Sequence, residues 1–404
     1  MSTRLQLDGT ALSPETNETI FAAAARAGIA LPSSCKGLGK CRECLVEVAA
    51  GTDALSPPTP EERHLRDGFR LACRCTCIAD TTIEVRLHSM RRGSMRIETG
   101  GTGAPAGDLR PAVVRAGEAV LLDGVEIART SGPLHGLAID VGTTTVVVRC
   151  VDLEQGTTVA TTAFENPQRF GGSDVMARIQ FDTDNPGRLL QRTLLGYLGR
   201  AITSLPVDPL SIFELVVVGN TTMRDLFFGL DVHSVGQRPY RSLTEHERRA
   251  GTRTTTALDA TARSLRLPVH PAARVYGLPL VGGHVGGDAA ACLLALAPHE
   301  SDRLVAIMDI GTNTELFLGR RGRLLAASCP AGPAFEGRAV THGMPGLDGA
   351  ISRVRIDDAG GCTLEVIGGG APEGICGSGL VDALSELART ERMNAMGRFE
   401  DGAE

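Results

Sequence analysis

Ile139-Asp-Val-Gly-Thr-Thr-Thr-Val146 and Met308-Asp-Ile-Gly-Thr-Asn-Thr-Glu315 have the same form and stand 169 positions apart in a chain of 404 residues. In each, an apolar run ends in aspartate, a glycine turn follows, and hydroxyl or amide side chains lead into a second run. One Asp-x-Gly-Thr is weak evidence, because glycine turns between strands are common. Two copies in matching surroundings indicate an internally repeated architecture. Asp140 and Asp309 are suited to holding Mg²⁺ through water or orienting an attacking water. Gly142, Thr143 and Thr144 in the first copy, and Gly311, Thr312, Asn313 and Thr314 in the second, offer N–H and side-chain donors to phosphate oxygens. Two such loops facing each other would clamp a nucleotide.

Outward from these hairpins, apolar β runs after Gly136 alternate with longer helical stretches such as 189–204, which indicates an α/β fold. The duplicated strand-turn-strand unit resembles the superfamily of acetate and sugar kinases, chaperone ATPases and actin, where the two motifs are the first and second phosphate loops. That resemblance implies an actin-like (ribonuclease H-like), bilobed ATPase domain over residues 134–404, with a first lobe over about 134–300 and a second over about 301–404. It also implies ATP and Mg²⁺ as ligands. A glycine-rich helix packs at the lobe crossing in that superfamily, and Val285-Gly-Gly-Asp-Ala-Ala-Ala-Cys292 fits the place. The same residues read equally as a plain helix start with Asp288 near its positive end.

Toward the N-terminus, residues 91–133 are rich in Gly, Ala, Arg and Pro, with one strand-like patch over 119–127, and read as a linker with a hairpin. Residues 1–90 read as a small mixed domain, with strands at 3–7 and 82–87 and a helix over 18–27 ended by Gly28. Cys35, Cys41 and Cys44 form a C-x5-C-x2-C loop, and Cys73 follows after 28 intervening residues. The spacing is one residue longer than the plant-type ferredoxin loop, and ferredoxins of the adrenodoxin type share it. A loop of this kind must curl around a 2Fe-2S cluster, place three thiolates on it and aim N–H groups at its sulfurs, and Gly37 and Gly39 permit the turns. The expectation is a β-grasp ferredoxin domain with Cys35, Cys41, Cys44 and Cys73 as metal ligands. The alternative is a zinc site built from Cys41, Cys44 and two of Cys73, Cys75 and Cys77, which leaves Cys35 without a role. Cys75 and Cys77 otherwise read as packing or spare thiols. Lys36 and Lys40, the only lysines of the chain, lie with Arg42 in this loop and read as a solvated surface.

Composition narrows the function classes. Apolar residues make up 42 % and charged residues 22 %, the balance of an ordinary globular protein, and the length suits two or three units. A net charge of −6 without a dense basic run argues against nucleic acid. Neither an 18-residue apolar run nor a signal-peptide start is present, so the expected location is the cytoplasm with no membrane partner. In that reducing compartment eleven cysteines are not a disulfide framework.

The order of ferredoxin loop and paired phosphate loops resembles the reductive activators of corrinoid proteins. Asn166-Pro-Gln-Arg-Phe-Gly-Gly-Ser-Asp-Val-Met-Ala-Arg-Ile179, Gly219-Asn-Thr-Thr-Met223, Ala331-Gly-Pro-Ala-Phe-Glu-Gly337 and Gly374-Ile-Cys-Gly-Ser-Gly-Leu380 extend the likeness over about residues 3–399. The resemblance implies ATP-dependent return of Co(II) to Co(I) in a corrinoid methyltransferase system. Its partners would be a corrinoid protein or corrinoid-dependent methyltransferase and an upstream electron donor. Read alone, Asn220, Thr221 and Thr222 look like a ligand-facing strand end, and Glu336 sits in either a cleft loop or a plain turn. The family implies a further glycine loop against adenosine beyond the Gly374 block. Because the sequence stops at Glu404, after a helix expected over 378–392, the second lobe is expected to be incomplete. An electron carrier or corrinoid-binding module with a non-functional ATPase fold is the alternative. A kinase-like phosphotransferase is a third reading, without a substrate motif to support it.

Overall fold

The computed structural model describes all residues except 1–3, 8–9, 16, 30, 32, 34–36, 40–43, 66, 79–81, 87–109, 173, 330–339, 345, 347–348, 358–359 and 400–404, and only the backbone of 82–86. Two compact units emerge, Met1–Arg91 with Gly101–Ala297, and a second that includes Pro298–Glu404.

The N-terminal part contains β1 (Arg4–Leu7), β2 (Thr10–Leu12), α1 (Ile20–Arg26), β3 (Leu45–Ala50), β4 (Phe69–Leu71) and β5 (Thr82–Arg86). They form a mixed sheet in the order β2-β1-β5-β3-β4, with β1 and β5 parallel and the other pairs antiparallel, which is the β-grasp arrangement. Leu5 and Leu7 point into the core while Arg4 and Gln6 point out, as the two-residue period of a strand requires. Helix α1 begins at Ile20 and not at Glu18. Thr19 caps it, accepting from Ala22 N at 3.1 Å, while Glu18 pairs with Arg26 at 2.7 Å.

Next come β6 (Val113–Ala116), β7 (Ala119–Leu122) and β8 (Val125–Arg129), an antiparallel three-stranded sheet. The patch at 119–127 divides into two strands because Asp123 and Gly124 both take positive φ, 49° and 83°, in a two-residue hairpin turn.

The remainder of the first unit holds β9 (His135–Val141), β10 (Thr145–Asp152), β11 (Thr158–Glu165), α2 (Val175–Asp184), α3 (Leu189–Thr203), β12 (Ile212–Val218), α4 (Thr221–Phe228), α5 (Leu243–Arg249), β13 (Leu258–Thr261), α6 (Ala262–Leu265), β14 (Arg274–Gly277) and α7 (Gly287–Leu296). The sheet runs β11-β10-β9-β12-β14-β13; β9, β10 and β11 form an antiparallel meander, and β12 is parallel to both β9 and β14. Leu137, Ile139, Val141, Val146 and Val148 are buried with Leu190, Leu194 and Leu198 of α3 in the core. The small β6–β8 sheet is fixed to β12: Val113 and Val120 pack with Leu134 and Phe213, and the Glu214 carboxylate accepts from Ala112 N and Val113 N at 3.0 and 3.3 Å.

The second unit begins with the meander β15 (Val305–Ile310), β16 (Thr314–Arg320) and β17 (Arg323–Cys329). It continues with β18 (Ala350–Ile356), β19 (Cys362–Val366), β20 (Gly374–Ile375) and α8 (Gly377–Arg389). Buried Glu386 anchors α8 to β18 by accepting from Ile356 N at 2.9 Å and from Arg355 at 3.2 Å. Among the described residues no helix is long and apolar enough to cross a membrane.

Candidate functional site

Cys44 precedes β3 and Cys73 follows β4, so the pairing of these strands sets their separation. Leu45 lies opposite Leu71, and Ala72 N donates to Cys44 O at 2.8 Å. Both thiols are buried, and their Sγ atoms stand 3.2 Å apart. Cys35 and Cys41 lie outside the described residues. Between them Gly37 and Gly39 take φ of 84° and 74°. A Cβ on Gly37 would stand 3.2 Å from the Phe21 ring, and one on Gly39 would collide with Arg74, whose guanidinium donates to Leu38 O at 2.9 Å. Glycine is required at both places.

Cys75 and Cys77 are also buried, and burial pushes their thiols up to about 12 and about 11. Their backbone holds α1 in place, through Ile20 N to Cys75 O at 2.9 Å and Cys77 N to Glu18 O at 3.2 Å. A support that the sequence reading missed is the buried pair of Glu62 and Arg70 at 2.9 Å. Glu62 also accepts from Leu71 N and Thr59 N at 2.8 and 2.7 Å, which fixes the end of β4 ahead of Cys73. Burial pushes its carboxyl up, but the Arg70 guanidinium and the two N–H groups prevail and hold it below its ordinary value. Thr59 and Glu62 form a capping box, the one sequence signal that could have pointed to this residue.

The first Gly-Thr turn joins β9 to β10. Asp140 is exposed at the end of β9, paired in register with Val147 of β10 and Val218 of β12. A Cβ on Gly142 would stand 2.6 Å from Thr145 O, so the turn needs glycine there. Thr144 is half-buried. Thr143 is buried and faces inward, where its Oγ1 accepts from Asn220 Nδ2 at 2.9 Å.

The block 166–179, whose purpose was not legible residue by residue, holds this turn from behind. Asn166 donates from Nδ2 to Gly142 O at 2.8 Å, and its N donates to Thr144 O at 2.7 Å. Arg178, fully buried, donates to Thr143 O at 2.6 Å, to Gly172 O at 2.8 Å and toward Met223 Sδ at 3.1 Å. Each carbonyl of the turn therefore has a side-chain or backbone donor.

Asn220 is the N-cap of α4, accepting from Met223 N at 3.0 Å, and not an open strand-end ligand. Thr221 Oγ1 donates to Gly283 O at 2.5 Å. Helix α7 starts in the Gly286-Gly287 pair. A Cβ on Gly286 would stand 2.4 Å from Asn220 Cα, and Gly287 N donates to Gly219 O at 2.9 Å. These small residues let α7 meet the β12–α4 junction at backbone distance.

The second turn joins β15 to β16 in the second unit, with Asp309 opposite Glu315 and Ile310 opposite Thr314. Asp309, Thr312 and Asn313 are half-buried, while Gly311 is exposed. Thr314 is buried with its Oγ1 unpartnered among the described residues. Ser328 Oγ donates to Glu315 at 2.8 Å. The Ala331–Gly337 block, with Glu336, lies outside the described residues. In the Gly374 block, a Cβ on Gly379 would stand 2.1 Å from Ile351 O, so that glycine serves the packing of α8 on β18.

Residues 5–77 match the 2Fe-2S iron-sulfur cluster binding domain, residues 135–301 the RACo middle region, and residues 303–404 the C-terminal domain of RACo, the ASKHA domain. The corrinoid activation enzyme RamQ of Eubacterium limosum is 33 % identical over 288 residues, 70 % of this chain and 46 % of that protein. A [Co(II) methylated amine-specific corrinoid protein] reductase of Methanosarcina barkeri is 25 % identical over 238 residues, 55 % of this chain and 41 % of that protein. The chain thus spans less than half the length of these curated relatives. A solved structure of a reductive activator for a corrinoid, iron-sulfur protein superposes with a TM-score of 0.64 at 27 % identity, covering 100 % of this chain and 75 % of that one. With both RACo regions in order behind a 2Fe-2S domain, the chain belongs to the RACo family and carries its ferredoxin-type and actin-like ASKHA folds.

Proposed function

We propose that this chain is a 2Fe-2S, ATP-dependent reductive activator that returns Co(II) to Co(I) in the corrinoid protein of a methyltransferase system. The observation that carries the reading is the 3.2 Å approach of the buried Cys44 and Cys73 sulfurs inside a domain of the 2Fe-2S type. The names of the relatives, a corrinoid activation enzyme and a Co(II) corrinoid reductase, support it.

In this reading Cys35 and Cys41 join Cys44 and Cys73 as thiolate ligands, a donor set suited to an iron-sulfur centre. The bound cluster supplies a one-electron carrier, with plant-type potentials near roughly −400 mV. Glu62 and Arg70 keep β4, and with it Cys73, in position. Asp140 and Asp309 hold Mg²⁺ through water or orient the attacking water. The N–H groups of Gly142, Thr143 and Thr144 take phosphate oxygens, as do those of Gly311, Thr312 and Asn313, with Thr314 at the strand start behind them. Thr143 contributes its backbone, since its side chain is turned to Asn220. One electron reduces Co(II) to Co(I), and an upstream donor in the cytoplasm restores it. Nucleotide binding or hydrolysis changes the grip on the corrinoid partner, which supplies the driving force that the cluster potential lacks.

The test uses the chain prepared anaerobically, with visible and electron paramagnetic resonance spectra before and after dithionite, and a titration with labelled ATP and Mg²⁺. A reducible 2Fe-2S signal, saturable ATP binding and ATP-dependent Co(I) formation on a Co(II) corrinoid protein are expected. The signal without ATP binding would leave an electron carrier. Colourless, zinc-loaded protein would overturn the reading.

A further inference from the structure

Beyond the cysteine site and the Gly-Thr turns, the first unit contains a cavity of about 270 Å³ lined in part by Arg241, Glu245, Arg248, Arg249, Thr256 and Gly283. Its floor is fixed. Thr256 Oγ1 accepts from Leu280 N at 2.8 Å, and Thr256 O accepts from the buried Arg224 at 2.8 Å. Glu245 is committed at both oxygens, to Ser242 N at 3.0 Å and to Gly283 N at 3.1 Å. The other acids nearby are also engaged: Glu247 pairs with Arg253 at 2.9 Å, and Asp225 with Arg224 at 2.6 Å.

Arg241, Arg248 and Arg249, by contrast, make no side-chain hydrogen bond or ion pair among the described residues. Three guanidinium groups and one carboxylate, Glu245, line the cavity, so its wall carries a net positive charge that attracts an anion. Their planar donor forks match phosphate and carboxylate oxygens, often two at a time. The volume lies just below the range for drug-sized ligands and is ample for a compact anion.

We propose that this cavity binds a small polyanion carrying two or more phosphate or carboxylate groups, held by Arg241, Arg248 and Arg249. The site is separate from the Gly-Thr turn but joined to it. Gly283, whose N–H holds Glu245, accepts from Thr221 through its carbonyl, and Thr221 adjoins Asn220, the residue that holds Thr143.

The experiment is isothermal titration calorimetry of the full chain with inorganic pyrophosphate and, separately, with citrate at low ionic strength. Wild type is compared with Arg241→Ala, with the double variant Arg248→Ala/Arg249→Ala, and with Arg303→Ala, an exposed arginine of the second unit. The cavity variants are expected to weaken binding at least tenfold, and Arg303→Ala to change it less than twofold. Pyrophosphate bound at the Gly-Thr turn contributes equally to wild type and variants, so the difference isolates the cavity. An arginine-dependent isotherm for pyrophosphate alone assigns a phosphate ligand, one for citrate alone a carboxylate ligand, and one for both a general polyanion site. Isotherms that do not change in the cavity variants, or that weaken equally in Arg303→Ala, overturn the proposal. Thermal melts give a second reading: the anion that shows the arginine-dependent isotherm should raise the melting temperature of wild type and leave that of Arg248→Glu unchanged.

Discussion

Asn220 donates from Nδ2 to Thr143 Oγ1 at 2.9 Å while its Oδ1 accepts from Met223 N at 3.0 Å. One amide therefore caps α4 and pins the first Gly-Thr turn, two residues that lie 77 positions apart. Replacing Asn220 by Ala removes both bonds and leaves Thr143 buried without this donor. The expected cost is about 2 kcal/mol of stability, from the cap and the lost buried hydrogen bond together. ATP affinity measured by titration should fall about tenfold while the cluster spectrum stays unchanged. Unchanged ATP affinity would separate the turn from nucleotide binding.

Arg178 ties the same turn to the 166–172 segment, because its fork reaches Thr143 O and Gly172 O at once. Lysine retains the charge but cannot span that pair. Arg178→Lys should destabilise the first unit by about 2–3 kcal/mol in urea unfolding, from buried groups left short of partners. Arg263→Lys, at an exposed position of α6, should shift the midpoint little.

Cys44→Ser and Cys73→Ser should each abolish the visible and paramagnetic signals of the cluster. Cys75→Ala should retain them, because Cys75 holds α1 through its backbone carbonyl, which the substitution leaves in place. Its expected cost is about 1 kcal/mol from the small cavity. Loss of the spectrum in Cys75→Ala would bring back the zinc-like grouping of cysteines.

Asp182 on α2 carries a carboxyl pushed up from its ordinary 3.8 to about 6, first by burial and then by Asp231, with Arg188 opposing. The folded form therefore binds this proton more tightly than the unfolded chain does. Its contribution to stability is full below pH 3.8 and is lost as pH rises through 6. Asp182→Asn should raise stability by about 1 kcal/mol at pH 7, a figure reduced for the partial exposure of the site, and change it little at pH 4. Paired melts of wild type and variant at the two pH values measure the difference.

Gly286→Ala places a methyl group 2.4 Å from Asn220 Cα and from Gly219 O, both backbone atoms. Nothing flexible is there to yield, so the expected cost is about 2–3 kcal/mol. Gly251→Ala makes no such contact but lies at φ 76°, and should cost about 1 kcal/mol from backbone strain alone.

The sheet class, the repeated hairpins and the cysteine spacing were legible because each is written in a short stretch of contiguous residues. Asp140 and the Gly142 turn lie where an apolar run followed by Asp-x-Gly-Thr places them. The supports were not legible, because Asn166, Arg178 and Asn220 act on the carbonyl or side chain of a residue far away in sequence, which leaves no periodic trace. The strands β7 and β8 merged into one patch because the Asp123-Gly124 turn is flanked on both sides by apolar residues, which hide a break of two positions. Helix α1 began later than the alanine run suggested because Thr19 outcompetes Glu18 for the capping role.

The remote bracing of the Gly142–Thr144 turn also orders events in the life of the chain. During synthesis the turn itself is complete by residue 145, yet its props arrive with Asn166, Arg178, Asn220 and finally the Gly286-Gly287 contact on which Asn220 rests. Such long-range closures come late in assembly. A nascent polypeptide halted near residue 200 would carry the loop sequence without its shape, and one halted past residue 300 would carry both. Competence to grip a ligand at this turn should thus switch on abruptly with chain length, making it a timer for completion of the first unit.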